Sequence, residues 1–415
     1  MSRRSFFTAM LSMVFLLLVS MISAQTFYVV NSQSRTLSRI DPSTNSVNNN
    51  FSSLGNVPNK MVVDSDYIWV VNSGDNAVQK ISRLTGQSLA NIFVGPGANP
   101  WDAVRDQEFL YVTGLFSSKV YKINTLTGTV VSSIFVGASP EALLVVDGKL
   151  YVTNTGNYAE NYAGSSVSVI DLESFTVTAT IPVHANPQYL ASYGGKLHVS
   201  CTGNWTDIGG AICIIDLATG ELEETIDLGG TPGCIWIGEG QAYVGDSSGL
   251  VLYSYDPDNL EIIHGATNPI SNGGSEILGT DSMIAFLKPN WSANGTLKIL
   301  HTDLSAWQQY NVAMMPTDLK MWAEPSSNAE ELVPNLTIQV YPNPIRMGNS
   351  LHFEADKPLQ AKLQIFNLRG QLISSDSFEG KAALELNRNL PSGIYLYRVS
   401  EGAKIQSSGR FVVYR

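Results

Sequence analysis

Charge is scarce in this sequence, and positive charge scarcer still. Charged residues make up 15% of the 415, with 25 Lys and Arg against 36 Asp and Glu, a formal net charge of -11. So few cations exclude nucleic acid and anionic lipid as the main partner, because phosphate binding needs clustered Lys and Arg. Histidine is rarer: His184, His198, His264, His301 and His352 are scattered with no paired ligand spacing, so neither a metal centre nor a cofactor is expected. Calcium on an acidic turn such as DPDNLE (256–261) stays open beside the simpler reading, in which Asp and Asn satisfy local amides. GxSxG elbow, Walker loop and dinucleotide fingerprint are all missing, so no catalytic residue is nominated and no enzyme is expected.

Cysteine is confined to Cys201, Cys213 and Cys234, within 34 residues. Cys201 ends one strand-like segment and Cys213 begins the next, so a disulfide between them is compatible with an oxidising compartment. The alternative is three small buried apolar residues, since Cys213 sits between Ile212 and Ile214 as a strand residue would. Long apolar runs are confined to the N-terminus, where Arg3 and Arg4 precede the mostly apolar Phe6–Val19 stretch. That segment reads as a signal peptide of residues 1–24 rather than a membrane span. Its removal takes two arginines and no acid, moving the formal charge to 23 - 36 = -13.

What is abundant is repetition. A short strand recurs seven times: FYVVN (27–31), IWVVN (68–72), LYVTG (110–114), LYVTN (150–154), LHVSC (197–201), AYVGD (242–246) and IAFLK (284–288), at a spacing of 40 to 47 residues. Each copy carries three further strand-like segments, and none shows a 3.6-residue period. Four short strands per repeat predict an all-β, seven-bladed propeller over residues 25–324. The first copy starts at its second strand and the last ends on an unpaired first strand, MPTDLKMWAE (315–324). Closure is therefore expected to pair that segment with FYVVN and remove the open edge.

The tetrapeptide Tyr151, Val152, Thr153, Asn154 makes residues 27–324 resemble the YVTN-type, YncE-like propeller family. The resemblance speaks for fold; such propellers include binders and a few lactone-acting enzymes, and fold does not fix function.

After a polar linker (325–337), the texture changes again. Tyr341, Pro342, Asn343, Pro344, Asn367, Gly370, Gly393, Tyr395 and Arg410 stand in order across residues 338–415, which closely resemble the C-terminal (Por) sorting domain of the type IX secretion system of Bacteroidota-like bacteria. The strand and turn pattern suits a small antiparallel, immunoglobulin-like sandwich in which Gly393 frees the backbone, and the resemblance implies an extracellular or outer-surface destination with the secretion machinery as partner. Arg410 stands where family members often have Lys.

Binding residues are expected on one face. The loops entering the innermost strands place Lys60, Trp101, Asp102, Glu141, Tyr189, Glu276 and Asp318 around the channel mouth. The longest loops between second and third strands add Tyr158, Tyr162, Trp205 and Trp291. Aromatics beside Asn and Asp suit a small corrinoid-like molecule, a glycan or a protein ligand; the alternative is that Trp205 and Trp291 fold back over their own blades. The chain is expected to be a monomeric extracellular binding protein, with a lactonase- or lyase-type enzyme as the alternative.

Overall fold

The computed structural model describes residues 25–323 except 239, 272 and 291, and residues 338–414 except 348, 356–358, 368–370, 381–383, 387–389 and 402–403. The signal segment 1–24 and the linker 325–337 lie outside the described residues. The chain divides into two compact units, Met1–Pro325 and Ser326–Arg415.

The recurrent apolar pentapeptides of the first unit form the strands Gln25–Asn31, Tyr67–Asn72, Phe109–Gly114, Lys149–Asn154, Lys196–Cys201, Gln241–Asp246 and Met283–Lys288. They are apolar at nearly every position because both of their faces are covered. Phe27 and Val29 pack with Met283, Ala285 and Leu287, whereas Tyr28 and Val30 pack with Met61, Ile68 and Val70. Burying a side chain of this size stabilises by about 1.5–3 kcal/mol, so each such strand ties two neighbouring sheets together.

Each of these strands is second from the inner edge of an antiparallel sheet, and the sheets follow chain order except that of Gln25–Asn31, whose inner strand is Pro316–Ala323. Pro140–Val146, Lys149–Asn154, Ser166–Asp171 and Thr176–Pro182 show the pattern. One sheet departs from it: Ile270–Ser271 pairs with Val251–Tyr255 beside the short fourth strand Ile262–His264. The turn after the third strand is closed by an Asx side chain at Asp41, Asn124, Asp171, Asp216 and Asp256, and by the Ser82 hydroxyl in the sheet of Ala77–Ser82. In the acidic turn considered for calcium, Asp256 Oδ1 accepts from the amides of Asp258 (2.8 Å) and Asn259 (3.3 Å), the local capping that Asp supplies in turns.

Pro316–Ala323 pairs antiparallel with Gln25–Asn31, running from Gln25 opposite Ala323 to Asn31 opposite Pro316. The two ends of the repeat region therefore share one sheet, as its strand count requires. The innermost strands pack in succession: Pro58–Val63 on Pro100–Asp106, then Pro140–Val146, Pro187–Tyr193, Pro232–Gly238, Glu276–Thr280 and Pro316–Ala323, which returns to Pro58–Val63. The unit is all-β and propeller-like, and its described residues contain two short 3-10 turns, Ser73–Asp75 and Tyr158–Glu160.

The second unit has a three-stranded sheet (Ile338–Tyr341, Leu351–Ala355, Leu384–Leu386) and a five-stranded sheet (Ile345–Arg346, Leu359–Asn367, Leu372–Gly380, Gly393–Glu401, Lys404–Tyr414). Phe353, Leu363, Ile365, Val399 and Phe411 share one core. The expectation of a purely antiparallel sandwich needs correction, because Ile345–Arg346 runs parallel to Val413 and Tyr414. So does the role given to Gly393: a Cβ there would meet only Tyr395, at an ordinary 3.9 Å, so its backbone needs no special freedom.

Candidate functional site

The first turns of the innermost strands converge on a cavity of about 410 Å³. Register shifts just after Pro58, Pro100, Pro140, Pro187 and Pro232 interrupt the usual alternation of strand side chains, so even consecutive residues reach the cavity, and Lys60, Trp101, Asp102, Glu141, Tyr189 and Glu276 all stand at its wall. Leu143, Leu190, Ile235 and Ile277 supply apolar wall, and Ser247 and Pro289 from second-to-third-strand loops place the cavity on the loop-bearing face.

One side of the ring is internally satisfied. Lys60 pairs with Glu276 and lies 4.0 Å from Asp318 Oδ1, with its ammonium 4.8 Å from the Tyr189 ring centroid. Tyr189 donates to Glu276 Oε1 at 2.8 Å. Asp318 is fully buried; it accepts from the Met61 amide at 2.7 Å and from Lys320 Nζ at 3.2 Å. Burial opposes the charge on Lys60, but Glu276, Tyr189, Asp318 and Asp102 outweigh it and hold the ammonium well above the usual lysine range. Asp318 therefore serves as a counter-ion beneath the cavity rather than as the exposed ligand contact expected of it.

The other side is open. Asp102 accepts from the Ala103 amide at 2.7 Å and from Leu143 at 3.4 Å, while the Glu141 carboxyl and the Trp101 indole have no hydrogen-bond partner among the described residues. Glu141 is half-buried by area, yet what it faces is the cavity. Burial pushes its carboxyl up to about 8, Lys60 opposing and Asp102 adding to the push. Asp102 rises less, to about 6, since burial is opposed by both Lys60 and Lys320.

The loop aromatics form a separate cluster. Tyr162 is buried and meets Tyr158 (5.6 Å between centroids) and Trp205 (5.9 Å) edge-on. Tyr162 thus holds its neighbours in place and offers no face to a ligand. Gly156 makes the loop possible: at φ +89 a Cβ would lie 2.5 Å from the Tyr162 carbonyl oxygen. Tyr158 is 75% exposed and Trp205 48% exposed. Trp205 does not fold back over its own sheet; its Nε1 donates to Ser247 Oγ of the next one at 3.3 Å, which joins the cluster to the cavity rim. Trp291 lies outside the described residues. Lys320 escaped the sequence reading, although it follows Asp318 by two positions and so shares its strand face.

The sulfurs of Cys201 and Cys213 are 3.9 Å apart and unbonded, and Cys201, Cys213 and Cys234 are all buried. His198 is buried, with Nδ1 2.7 Å from Tyr255 Oη, and burial pushes its imidazole down to about 4. Among the described residues no group of three or more His, Cys, Asp or Glu is arranged to hold a metal, and no helix is long and apolar enough to cross a membrane.

In the second unit Asn343 staples the last strand: its Nδ2 donates to the Arg410 carbonyl (3.2 Å) and its Oδ1 accepts from the Val412 amide (3.0 Å). Tyr341 stacks on His352, Tyr395 stacks on Phe411 and donates to the Pro391 carbonyl, and Asn367 closes its hairpin onto Gln371. Pro342 and Pro344 follow cis peptide bonds; Arg410 is exposed, and Gly370 lies outside the described residues.

Residues 339–414 match the family described as "Secretion system C-terminal sorting domain", which implies export by type IX secretion to the cell surface or beyond. No curated protein matches the chain. Among solved structures it is similar to hydrazine synthase of Kuenenia stuttgartiensis (16% identity, 68% of this chain and 93% of that one, TM-score 0.53). It is also similar to a functionally unknown protein from Desulfotomaculum acetoxidans (13% identity, 70% and 99%, TM-score 0.53). At such identities the likeness speaks for the fold of the first unit, while the tail match identifies the second unit as a secretion-system sorting domain.

Proposed function

We propose that this chain is an exported, monomeric, seven-bladed propeller of the YVTN type that captures a small ligand in the cavity at its loop-bearing face. The observation that carries the reading is the half-satisfied ring: Trp101 and Glu141 stand unpartnered in a cavity of about 410 Å³, within the size range of small-ligand sites. In this reading residues 1–24 are a removed signal and the chain is not an enzyme.

The test is a thermal-shift screen of the exported protein against glycans, corrinoids and small organic ions, repeated on Trp101→Ala. A hit whose stabilisation falls at least tenfold in affinity in the variant supports the cavity; a hit unaffected by it overturns the reading. A lactonase- or lyase-type enzyme remains the second reading. It is favoured only by the Asp102 and Glu141 carboxyls, held near 6 and 8, which is how sites separate an acid from a base; turnover lost in Glu141→Gln would select it.

A further inference from the structure

The cavity's charges are unevenly satisfied. Its ring holds three carboxyls (Asp102, Glu141, Glu276) and two ammonium groups (Lys60, Lys320), with the Asp318 carboxyl beneath it, so with all ionised the sum is 2 - 4 = -2. Both lysines are bound to the Glu276–Asp318 side. The groups facing Glu141 are Lys60, Asp102 and, from the long loop, Tyr162; Tyr189, Glu276, Asp318 and Lys320 stand farther round the ring. No lysine bonds to Glu141 or Asp102. Beside them stand Trp101, an aromatic face able to take a cation, and the apolar Leu143. An anionic ligand would meet those carboxyls, and a neutral one would leave an ionised Glu141 unpaired; a cation answers both. The whole molecule, at -11, also draws cations toward the site.

We propose that the cavity takes the ammonium group of a small organic cation, bound between the carboxylates of Glu141 and Asp102 with its apolar body against Trp101. This rests on the reading of the cavity as the ligand site. Binding then requires Glu141 to ionise, so affinity rises with pH and a proton leaves as the cation enters.

The probe pair is choline, whose charge does not titrate, and its uncharged near-isostere 3,3-dimethylbutan-1-ol, measured by calorimetry on the exported protein at pH 6.5 and pH 9. Choline is expected to bind about tenfold tighter than the alcohol at pH 9 and to gain about thirtyfold between the two pH values, since only the ionised fraction of Glu141 is competent. Glu141→Gln is expected to flatten that pH profile while keeping the fold, and Trp101→Ala to weaken choline at both pH values. Equal or tighter binding of the alcohol, a profile that falls with pH, or no choline binding up to millimolar concentration overturns the cation. A neutral hit that still depends on Trp101 leaves the cavity reading standing, whereas a hit independent of Trp101 removes that reading instead.

Discussion

Glu141 costs the fold something in return for facing the cavity. In an unfolded chain its carboxyl ionises near 4.3, whereas in the fold burial holds it up to about 8. Below pH of about 4 both states are protonated and the cost is nil. Between the two values only the unfolded state ionises, so stability falls as pH rises, and the cost is complete above about 8. Glu141→Gln should therefore stabilise the protein by about 1–3 kcal/mol at pH 9, after cavity water has screened the charge, and by almost nothing at pH 4. Chemical denaturation at the two pH values checks this; a gain independent of pH would mean that the carboxyl is not desolvated. The sequence identified Glu141 as a channel-mouth residue through its place after Pro140. It could not show that Glu276 has a lysine partner and Glu141 has none, because Lys60 and Lys320 reach the ring from distant repeats.

Among the strands, one cross-strand position explains the Asn of the recurrent tetrapeptide. Asn31, Asn72 and Asn154 end their strands buried, and each donates across to the third strand, to Ser38 Oγ (2.8 Å), Gln79 Oε1 (3.1 Å) and Ser168 Oγ (2.9 Å). The register is the same each time, two residues beyond the directly opposed pair. Where the motif lapses, the pair changes together. Asp246 meets Tyr253 Oη at 3.0 Å, Gly114 leaves room for the Tyr121 ring, and Cys201 faces Cys213. The cysteines thus occupy a clasp position, a relation hidden in a sequence that shows them only as neighbours across a loop. Asn154→Ala should cost about 1–3 kcal/mol, since it removes bonds to buried hydroxyls. Cys201→Asn with Cys213→Ser should restore the polar clasp, and the pair should cost less than the two single changes together. Denaturation of the four variants measures this; strict additivity would show that the positions do not interact. The loop 154–166 was legible as long and aromatic, but the inward turn of Tyr162 depends on packing with Trp205 from the next repeat.

For the molecule as a whole, the repeat count carried the sheet order and the sharing of one sheet by Gln25–Asn31 and Pro316–Ala323, because an unpaired strand at each end leaves only one pairing without an open edge. The tail was legible for a different reason: its spaced Asn and Tyr residues act as staples, Asn343 to Arg410 and Val412, Tyr395 to Pro391 and Asn367 to Gln371. Truncation before residue 338 should leave the first unit folded, since the two units have separate cores, and should strand it inside the cell envelope. Fractionation of cells checks this, and undiminished appearance of the truncated protein outside the cell would contradict it. What no sequence pattern reveals is the ligand, because the cavity takes its chemistry from side chains scattered over residues 59–320. The most direct test of its role is a crystal structure of the exported protein with a bound hit. Density between Trp101, Glu141 and Tyr189 is the expected result; density on the Tyr158–Trp205 cluster or elsewhere, with the cavity empty, would contradict the account.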